Sequence, residues 1–408
     1  MADTTHRQPD NDLAALTDQC VMCGLCLPHC PTYRLDQHEA ESPRGRIALA
    51  RRLANGQLAV SATAVAHLDH CLGCLACEAV CPSGVQYEMI LVQTRALLQP
   101  LRPPRGWLER WLADPVMLVR LAKLGAAVRG AWWLPRLAGL LPKHTLLRRL
   151  LREMPRVPPA SPVPSRVASG PMDRGRIILF PGCVASVFDR DTLVAGQRLL
   201  AALGYEVVVP PEAVCCGALA RHAGERESAV RTAQATREAL LACAAPMVLV
   251  SASGCLGSLR DACAPANALQ VADILGFVVA DKGLNRLRFR PLQARAALHV
   301  PCTQKNVASG SRPIRALLGR IPGLQLLELP DQPGCCGAAG NYFIEQPERA
   351  DRLRAEKLDQ VAVQSPDFLL TTNVGCRIFL GNGLRQRDSR VPVLHPLALL
   401  ARQLETNP

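Results

Sequence analysis

Short apolar runs alternate with helix-like stretches in the C-terminal part of the chain. From Arg174 onward, runs of about four to six residues rich in Val, Ile and Leu are separated by segments with helical periodicity. Such runs are typical of strands buried on both faces of a parallel sheet. The pattern therefore predicts an α/β architecture with parallel-type sheets, and helices near 191–203 and 312–320.

This pattern occurs twice, which indicates an internal duplication. Cys183 and Cys302, Cys215 and Cys335, and Cys255 and Cys376 are separated by 119, 120 and 121 residues respectively. Near-constant spacing at three landmarks is the signature of two copies of one fold. Each landmark cysteine follows an apolar run, so a site is expected at the carboxyl ends of the strands, where ligands of open α/β sheets bind.

The chain divides into four predicted segments within an α+β, multi-domain architecture. Residues 1–99 hold eight cysteines and read as an α-helical module, 100–172 as a helical bridge ending in a Pro-rich linker, and 173–289 and 290–408 as the duplicated α/β domains. The linker at 154–171 is rich in Pro and Ser, and we expect it to be too poor in apolar groups to pack.

Most of the net charge of +13 lies on the bridge. Residues 101–156 contain twelve Lys and Arg residues against three acidic ones, together with all four tryptophans of the protein. Charge confined to one segment favours a docking surface over nucleic-acid binding, so no nucleic-acid partner is predicted. Three interpretations remain open: packing against the protein's own domains, docking of a protein partner, and contact with an anionic membrane surface.

Cysteine usage indicates metal chemistry. No stretch has the roughly eighteen uninterrupted apolar residues of a membrane span, and the polar N-terminus has no signal-peptide pattern. We therefore expect a cytoplasmic protein, where disulfides are rare. The 18 cysteines are then more readily explained as metal ligands than as a disulfide framework.

Two copies of the spacing C-x2-C-x2-C-x3-C-P predict two [4Fe–4S] clusters. A structural zinc site would explain neither the third cysteine nor the proline of each copy. In this pattern the fourth cysteine of each motif ligates the other cluster. The predicted ligands are Cys20, Cys23, Cys26 and Cys81 for cluster 1, and Cys71, Cys74, Cys77 and Cys30 for cluster 2.

Clusters with four thiolates leave no iron open to substrate, so they conduct electrons and we predict no catalytic residue on this chain. Arg44 and Arg46 lie between the two motifs. They either offset the negative charge of the clusters or simply begin a solvated helix. No G-x-G-x-x-G after a strand and no P-loop is present, so the sequence shows no nucleotide site of its own.

The duplicated domains offer further candidate ligands. A repeated pattern at strand ends favours a cluster, although buried cysteines are also common as small hydrophobic residues. Cys243 and Cys263 have no counterpart in the other copy and are interpreted as packing residues, as His299 and His395 are interpreted as core or surface histidines. The candidates are Cys183, Cys215, Cys216, Cys255, Cys302, Cys335, Cys336 and Cys376.

Particular strings of this sequence resemble the glycolate oxidase iron–sulfur subunit family, including CPTYR at 30–34, SPRGRIALA at 42–50 and AGNY at 339–342. The resemblance covers nearly the whole chain. It implies a ferredoxin-type module, two CCG domains, and partner subunits carrying FAD, on which glycolate is oxidised to glyoxylate. It also implies electron delivery to a quinone or another respiratory acceptor. Membrane contact through residues 101–156 would make the protein peripheral on the inner face of the cell membrane.

More distant relatives keep two alternatives open. Iron–sulfur subunits for lactate and glycerol-3-phosphate oxidation share the architecture, and so does the CCG-containing subunit of heterodisulfide reductase. In that reductase each CCG half ends in C-x-x-C and supplies five thiolates to a cluster used in thiol/disulfide chemistry. Here Ser258 and Phe379 stand at the position of the fifth cysteine. Four thiolates per half remain, and at least one half is expected to bind a further cluster.

Overall fold

A computed structural model describes residues 13–99, 117, 142, 145–153, 163–168, 174–210, 214–265, 269–331 and 334–405. The chain forms two compact units. Unit 1 comprises Met1–Pro104 and Leu219–Val230, and unit 2 comprises Arg105–Ala218 and Arg231–Pro408. In the described ranges, no helix is both long enough and apolar enough to cross a membrane.

Unit 1 is a small helical module whose cysteine motifs lie mainly in the loops between helices. Ser42 and Ser61 cap two of the helices by accepting hydrogen bonds from Gly45 N and Ala64 N. Leu16, Ile47 and Ile90 form its core with neighbouring side chains. Its helices are Leu13–Asp18, Pro31–Asp36, Pro43–Ala54, Ala62–Asp69, Ala76–Ala79 and Tyr87–Leu98, with 3-10 helices Leu27–His29 and Glu39–Glu41.

Unit 2 contains two sheets of matching topology. The first has the order β1-β3-β2-β4-β5, in which only the β1–β3 pair is antiparallel, and the second has the all-parallel order β7-β6-β8-β9. The strands are β1 Arg166–Val167, β2 Arg176–Phe180, β3 Glu206–Val208, β4 Met247–Val250, β5 Gln270–Asp273, β6 Ala294–Leu298, β7 Leu324–Glu328, β8 Phe368–Leu370 and β9 Val393–Leu394. The predicted parallel α/β sheets are confirmed.

Helices connect these strands as expected for parallel pairs. The predicted helices near 191–203 and 312–320 are present as Arg190–Ala202 and Arg312–Leu318. The others are Leu146–Arg152, Ala185–Phe188, Ala218–Ala223, Arg226–Leu241, Ser253–Cys263, Ile274–Ala280, Cys302–Asn306, Tyr342–Glu345, Pro347–Gln364, Val374–Gln386 and Pro396–Gln403, with the 3-10 helix Lys282–Arg286.

The two sheets of unit 2 share one hydrophobic core. It contains Ile177 and Leu249 from the first sheet and Ala296 and Leu370 from the second. Helix Arg190–Ala202 packs against helix Pro396–Gln403 within this core. The duplicated halves are therefore joined by a continuous apolar interior and not only by the chain between them.

The prediction that the Pro-rich linker does not pack is wrong for residues 163–168. Arg166 and Val167 form β1 at the edge of the first sheet, and Val163 and Val167 pack against the shared core. An edge strand needs a partner on one side only and tolerates flanking prolines. Two valines therefore provide enough apolar contact for this segment to pack. The first sheet thus begins upstream of the predicted boundary at 173.

Two further differences concern the predicted segments. Leu219–Val230 belongs to unit 1, although its sequence lies within the predicted first α/β domain at 173–289. Arg95 explains part of this packing, because its Nη1 donates to His222 O at 2.8 Å. The four tryptophans and most of the basic bridge lie outside the described residues, and Leu146–Arg152 is the helix described there.

Candidate metal centres

The cysteines of the two N-terminal motifs line two neighbouring cavities. The larger, about 450 Å³, is lined by Cys20, Cys23, Cys26 and Cys81, together with Cys77. The smaller, about 300 Å³, is lined by Cys30, Cys71, Cys74 and Cys77. The fourth cysteine of each motif thus lies with the first three of the other, which is the crossed grouping that the spacing predicts.

The backbone around these cavities needs residues that accept positive φ. Gly24 has φ +84° and Gly73 has φ +60°, and a Cβ on Gly24 would lie 2.8 Å from Arg44 Nη1. Met22 and Leu75 also have positive φ, near +59° and +58°. This compact winding turns the thiols of each C-x2-C-x2-C segment towards a common centre.

Polar groups surround the sulfur atoms of the cavity lined by Cys30, Cys71, Cys74 and Cys77, which is called site 2. Tyr87 Oη donates to Cys71 Sγ at 3.4 Å, and Gly73 N donates to the same sulfur at 3.4 Å. Cys30 Sγ lies 3.3 Å from Thr32 Oγ1. Burial and the charges of neighbouring cysteines raise the pKa of Cys77. Buried thiols whose thiolates repel one another are a donor set that bound metal cations stabilise, so these residues fit an iron–sulfur cluster.

The two arginines between the motifs have different surroundings. Arg46 is 1% exposed, and its guanidinium donates to Glu41 Oε2 at 2.7 Å and to His67 O at 2.7 Å. Burial opposes its charge, but Cys71, Tyr87 and Cys30 outweigh burial and raise the pKa of Arg46. Arg44 is partly exposed and donates to Met22 O at 3.0 Å. Arg46 is therefore no solvated helix start, and its charge lies close to site 2.

A buried network behind site 2 was not foreseen from the sequence. Glu41 Oε1 lies 2.7 Å from both His67 Nδ1 and His70 Nδ1, while its other oxygen accepts from Arg46. Burial alone would raise the pKa of Glu41, but hydrogen bonds from the two histidines and the charge of Arg46 lower it to about 2. The paired carboxylate thus fixes the loop next to Cys71.

In each half of unit 2 the four candidate cysteines converge at the carboxyl ends of the strands. Cys183 Sγ lies 3.6 Å from Cys215 Sγ in the first half, and Cys336 Sγ lies 3.0 Å from Cys376 Sγ in the second. In the first half, Cys216 also hydrogen-bonds with Cys255. In the second half, Cys335 hydrogen-bonds with Cys302 and with Cys336.

In both halves, the pKa of the first cysteine of the adjacent pair is lowered. Hydrogen bonds from Cys183 and Cys216 lower the pKa of Cys215 to about 3, and equivalent bonds from Cys302 and Cys336 lower that of Cys335. Gly217 N and Gly337 N each donate to these sulfurs, at 3.5 and 3.4 Å. A Cβ on Gly337 would lie 2.6 Å from Ala350 O, which explains the glycine after the pair.

The sequence predicts packing roles for the other cysteines and histidines. Cys263 is 1% exposed within the core of the first half, and Cys243 packs against that core and donates to Ala239 O. His395 is buried and caps a helix by accepting from Leu397 N. Sequence reasoning missed that His299 lies beside Cys336 and Cys376. Alignment of the two copies singles out His299, because the equivalent residue of the first copy is Phe180.

Comparison with known proteins agrees with this geometry. A family model described as a 4Fe-4S dicluster domain matches residues 17–85, and a model described as a cysteine-rich domain matches residues 177–260 and 296–381. The protein of Bacillus subtilis (strain 168) described as "Probable glycolate oxidase iron-sulfur subunit" is 30% identical, over 93% of this chain and 92% of its own length. The chain belongs to the glycolate oxidase iron–sulfur subunit family.

Other relatives fit this family assignment. The glycolate oxidase iron–sulfur subunit of Escherichia coli (strain K12) is 29% identical over 95% of this chain and 94% of its own. Lactate utilization protein A of Macrococcus caseolyticus is 27% identical over 56% of this chain and 98% of its own. As a member of the glycolate oxidase iron–sulfur subunit family, the chain carries iron–sulfur clusters and transfers electrons within an oxidoreductase complex.

Proposed function

We propose that the chain relays electrons in a glycolate-oxidising complex, from FAD on a partner subunit towards a quinone or another respiratory acceptor. Oxidation of glycolate to glyoxylate releases two electrons and two protons, which the partner's flavin would accept. The observation that carries the proposal is the pair of adjacent cavities, each lined by a complete set of four crossed cysteines. Each [4Fe–4S] cluster held there would carry one electron at a time.

Residues around site 2 favour acceptance of an electron. The buried Arg46 guanidinium places a positive charge near Cys30 and Cys71. Tyr87 Oη and Gly73 N donate hydrogen bonds to Cys71 Sγ. Positive charge and donated hydrogen bonds both stabilise the more negative, reduced state of a cluster and so raise its potential. In this proposal the chain's charges and hydrogen bonds set the cluster potential, and the oxidation of substrate takes place on the partner.

In this proposal the protein is cytoplasmic and is held at the inner face of the cell membrane as a peripheral subunit. The basic residues at 101–156 would contact either the flavoprotein partner or the membrane surface. The relationship to lactate utilization protein A supports a lactate-oxidising complex as the alternative assignment. A glycerol-3-phosphate-oxidising complex stays an alternative from the resemblance alone.

Thiol/disulfide chemistry at the cysteine-rich halves is less well supported. The position of a fifth cysteine in the second half is filled by Phe379, which is 1% exposed. Its ring lies 4.1 Å from the Arg354 guanidinium carbon and 5.2 Å from the ring of Phe343. This packed ring leaves no thiol where the disulfide-reducing relatives have one.

Anaerobic co-purification tests the electron-relay proposal. We expect the chain to be isolated with an FAD-containing subunit, and glycolate to bleach the cluster absorbance of the complex. Cys74→Ser should abolish reduction of cluster 2, whereas Cys243→Ser, a packing cysteine outside every candidate site, should leave bleaching unchanged. Bleaching by lactate or glycerol-3-phosphate but not by glycolate would show that the substrate assignment is wrong.

Iron content tests the further cluster that we propose for the cysteine-rich halves. Two cubane clusters alone account for about eight irons per chain. We expect anaerobically purified protein to contain more than this amount. A value of about eight would remove the further cluster while leaving electron transfer through the N-terminal pair intact.

A further inference from the structure

The two cysteine-rich halves differ at one buried position close to their thiols. Three residues before its first cysteine, the first half has Phe180 and the second has His299. Both side chains are buried, at 2% and 3% exposure. The duplicated fold therefore places an aromatic hydrocarbon beside one set of cysteines and an imidazole beside the other.

His299 is positioned as a ligand would be. One ring nitrogen lies with Cys336 Sγ and Cys376 Sγ in a set whose donor atoms are all within 4.8 Å of one another. Nδ1 lies 3.2 Å from Thr371 Oγ1. Metal-bound histidines characteristically hold the ring nitrogen that does not bind the metal in such a hydrogen bond, which would leave Nε2 of His299 for the cluster. Among the described residues, no equivalent set including a histidine is formed by the cysteines of the first half.

A buried cation accompanies the second half. Lys357 is 4% exposed, its Nζ donates to Pro330 O at 2.5 Å, and it interacts electrostatically with Asp331 and with Cys336 and Cys335. At the 121-residue offset that relates Cys255 to Cys376, the corresponding residue of the first half is Thr236, whose hydroxyl bonds to the backbone of Cys215. A thiolate-ligated cluster is negatively charged, and a negative group inside a protein requires nearby compensation. Among the described residues, the second half has a buried cation at this position and the first half has none there.

We infer that the second cysteine-rich half holds the further iron–sulfur cluster and that His299 is one of its ligands. The inference rests on the proposed function, which assigns a further cluster to these halves. Counting His299, the second half has five donors, with Cys302, Cys335, Cys336 and Cys376. The first half has four and binds no cluster. A neutral imidazole adds no negative charge, so a cluster ligated by His299 has a higher potential than one with a further thiolate at that position, and this centre would accept electrons from the N-terminal pair.

Pulsed electron paramagnetic resonance on the complete chain tests this assignment. In protein grown with 15N-histidine, we expect the additional cluster to show a coupling to a histidine nitrogen. His299→Phe, which introduces the first half's residue, should lose that coupling and the iron in excess of about eight. His299→Cys should keep the iron, lose the coupling and have a lower reduction potential.

Two controls separate ligation from a structural effect. His395→Gln changes another buried histidine of unit 2 and should keep both the coupling and the iron. Cys255→Ser changes the first half and should also keep both, whereas Cys376→Ser should lose both. Unchanged signals of the N-terminal clusters show that unit 1 has folded, and unchanged hydrogen exchange in the strands of unit 2 shows the same for the unit that carries His299.

Three results would overturn the inference. They are a wild-type additional cluster without histidine coupling, an unchanged cluster in His299→Phe, and loss of the additional iron in Cys255→Ser. These outcomes leave the proposed electron relay in place. About eight irons in the wild type would overturn both the inference and the further cluster.

Discussion

A single histidine shows how burial fixes the protonation state of a side chain in this protein. His395 is 1% exposed, its Nδ1 accepts from Leu397 N at 3.1 Å, and its Nε2 donates to Ser251 O at 3.1 Å. Both bonds require the neutral ring with its proton on Nε2. Burial lowers the pKa of His395 to about 3, from an ordinary value of 6.5.

We expect His395 to make the protein less stable in mild acid. Because the folded-state pKa is lowered, the unfolded chain takes up the proton first, and the stabilisation present above pH 6.5 is lost as pH falls towards 3. His395→Asn supplies a helix-capping oxygen in place of Nδ1 but cannot titrate. Between pH 6 and 4, the wild-type free energy of unfolding should fall more steeply than the variant's by about 1.4 kcal/mol per pH unit. Anaerobic urea titrations would measure this, and parallel slopes would contradict it.

At the scale of secondary-structure elements, one arginine joins three helices of unit 2. Arg354, on helix Pro347–Gln364, donates to Glu153 Oε2 at 3.0 Å at the end of helix Leu146–Arg152. It also contacts Phe379 on helix Val374–Gln386. Arg354 and Glu153 are 3% and 8% exposed. Loss of Arg354 would leave the buried Glu153 carboxylate with only Arg152, 3.5 Å away and 42% exposed, as a charged partner.

Arg354→Ala should therefore destabilise unit 2 by about 3–5 kcal/mol. Arg387→Ala is the matched control, because Arg387 pairs with Asp359 at 2.6 Å but the two side chains are 39% and 68% exposed. An exposed pair contributes about 1 kcal/mol or less. Denaturation midpoints of the two variants would be compared with the wild type. Equal losses would show that the buried pair has no special role.

At the scale of the whole molecule, the duplicated halves of unit 2 are joined by their shared core. Leu400, on helix Pro396–Gln403 at the C-terminal end of the second half, is fully buried. This helix packs against helix Arg190–Ala202 of the first half. The cysteine-bearing strand ends of both halves therefore depend on a common apolar interior.

Leu400→Ala should loosen both sheets at once. Truncation of a buried leucine costs about 2–5 kcal/mol, and the shared core should distribute the loss. Hydrogen exchange should quicken in β2 and β4 as well as in β6 and β8, while helices of unit 1 keep their protection. Ile90→Ala, in the core of unit 1, is the control and should leave both sheets protected. Faster exchange confined to the second sheet would show that the halves are independent.

The predictions made from sequence were most successful where the signal is local or repeated. The parallel sheets, the helices near 191–203 and 312–320, and the positions of Cys183 and Cys302 after strands follow from short-range periodicity. The ligand assignments themselves remain predictions. Packing of Val163 and Val167 was missed, because two apolar residues beside an edge strand leave no periodic signal.

The sequence by itself determined the chemistry available to this protein: eight cysteines at ferredoxin spacing, and eight more in duplicated order. The ferredoxin motifs can be recognised from the sequence because consecutive cluster ligands lie within one turn of backbone. Only the tertiary structure decided that Arg46 is buried beside Cys30 and Cys71, and that Leu219–Val230 packs in unit 1. The same holds for His299, which lies beside Cys336 and Cys376. These neighbours are brought together by side-chain packing across strands and helices, which no local spacing of residues encodes.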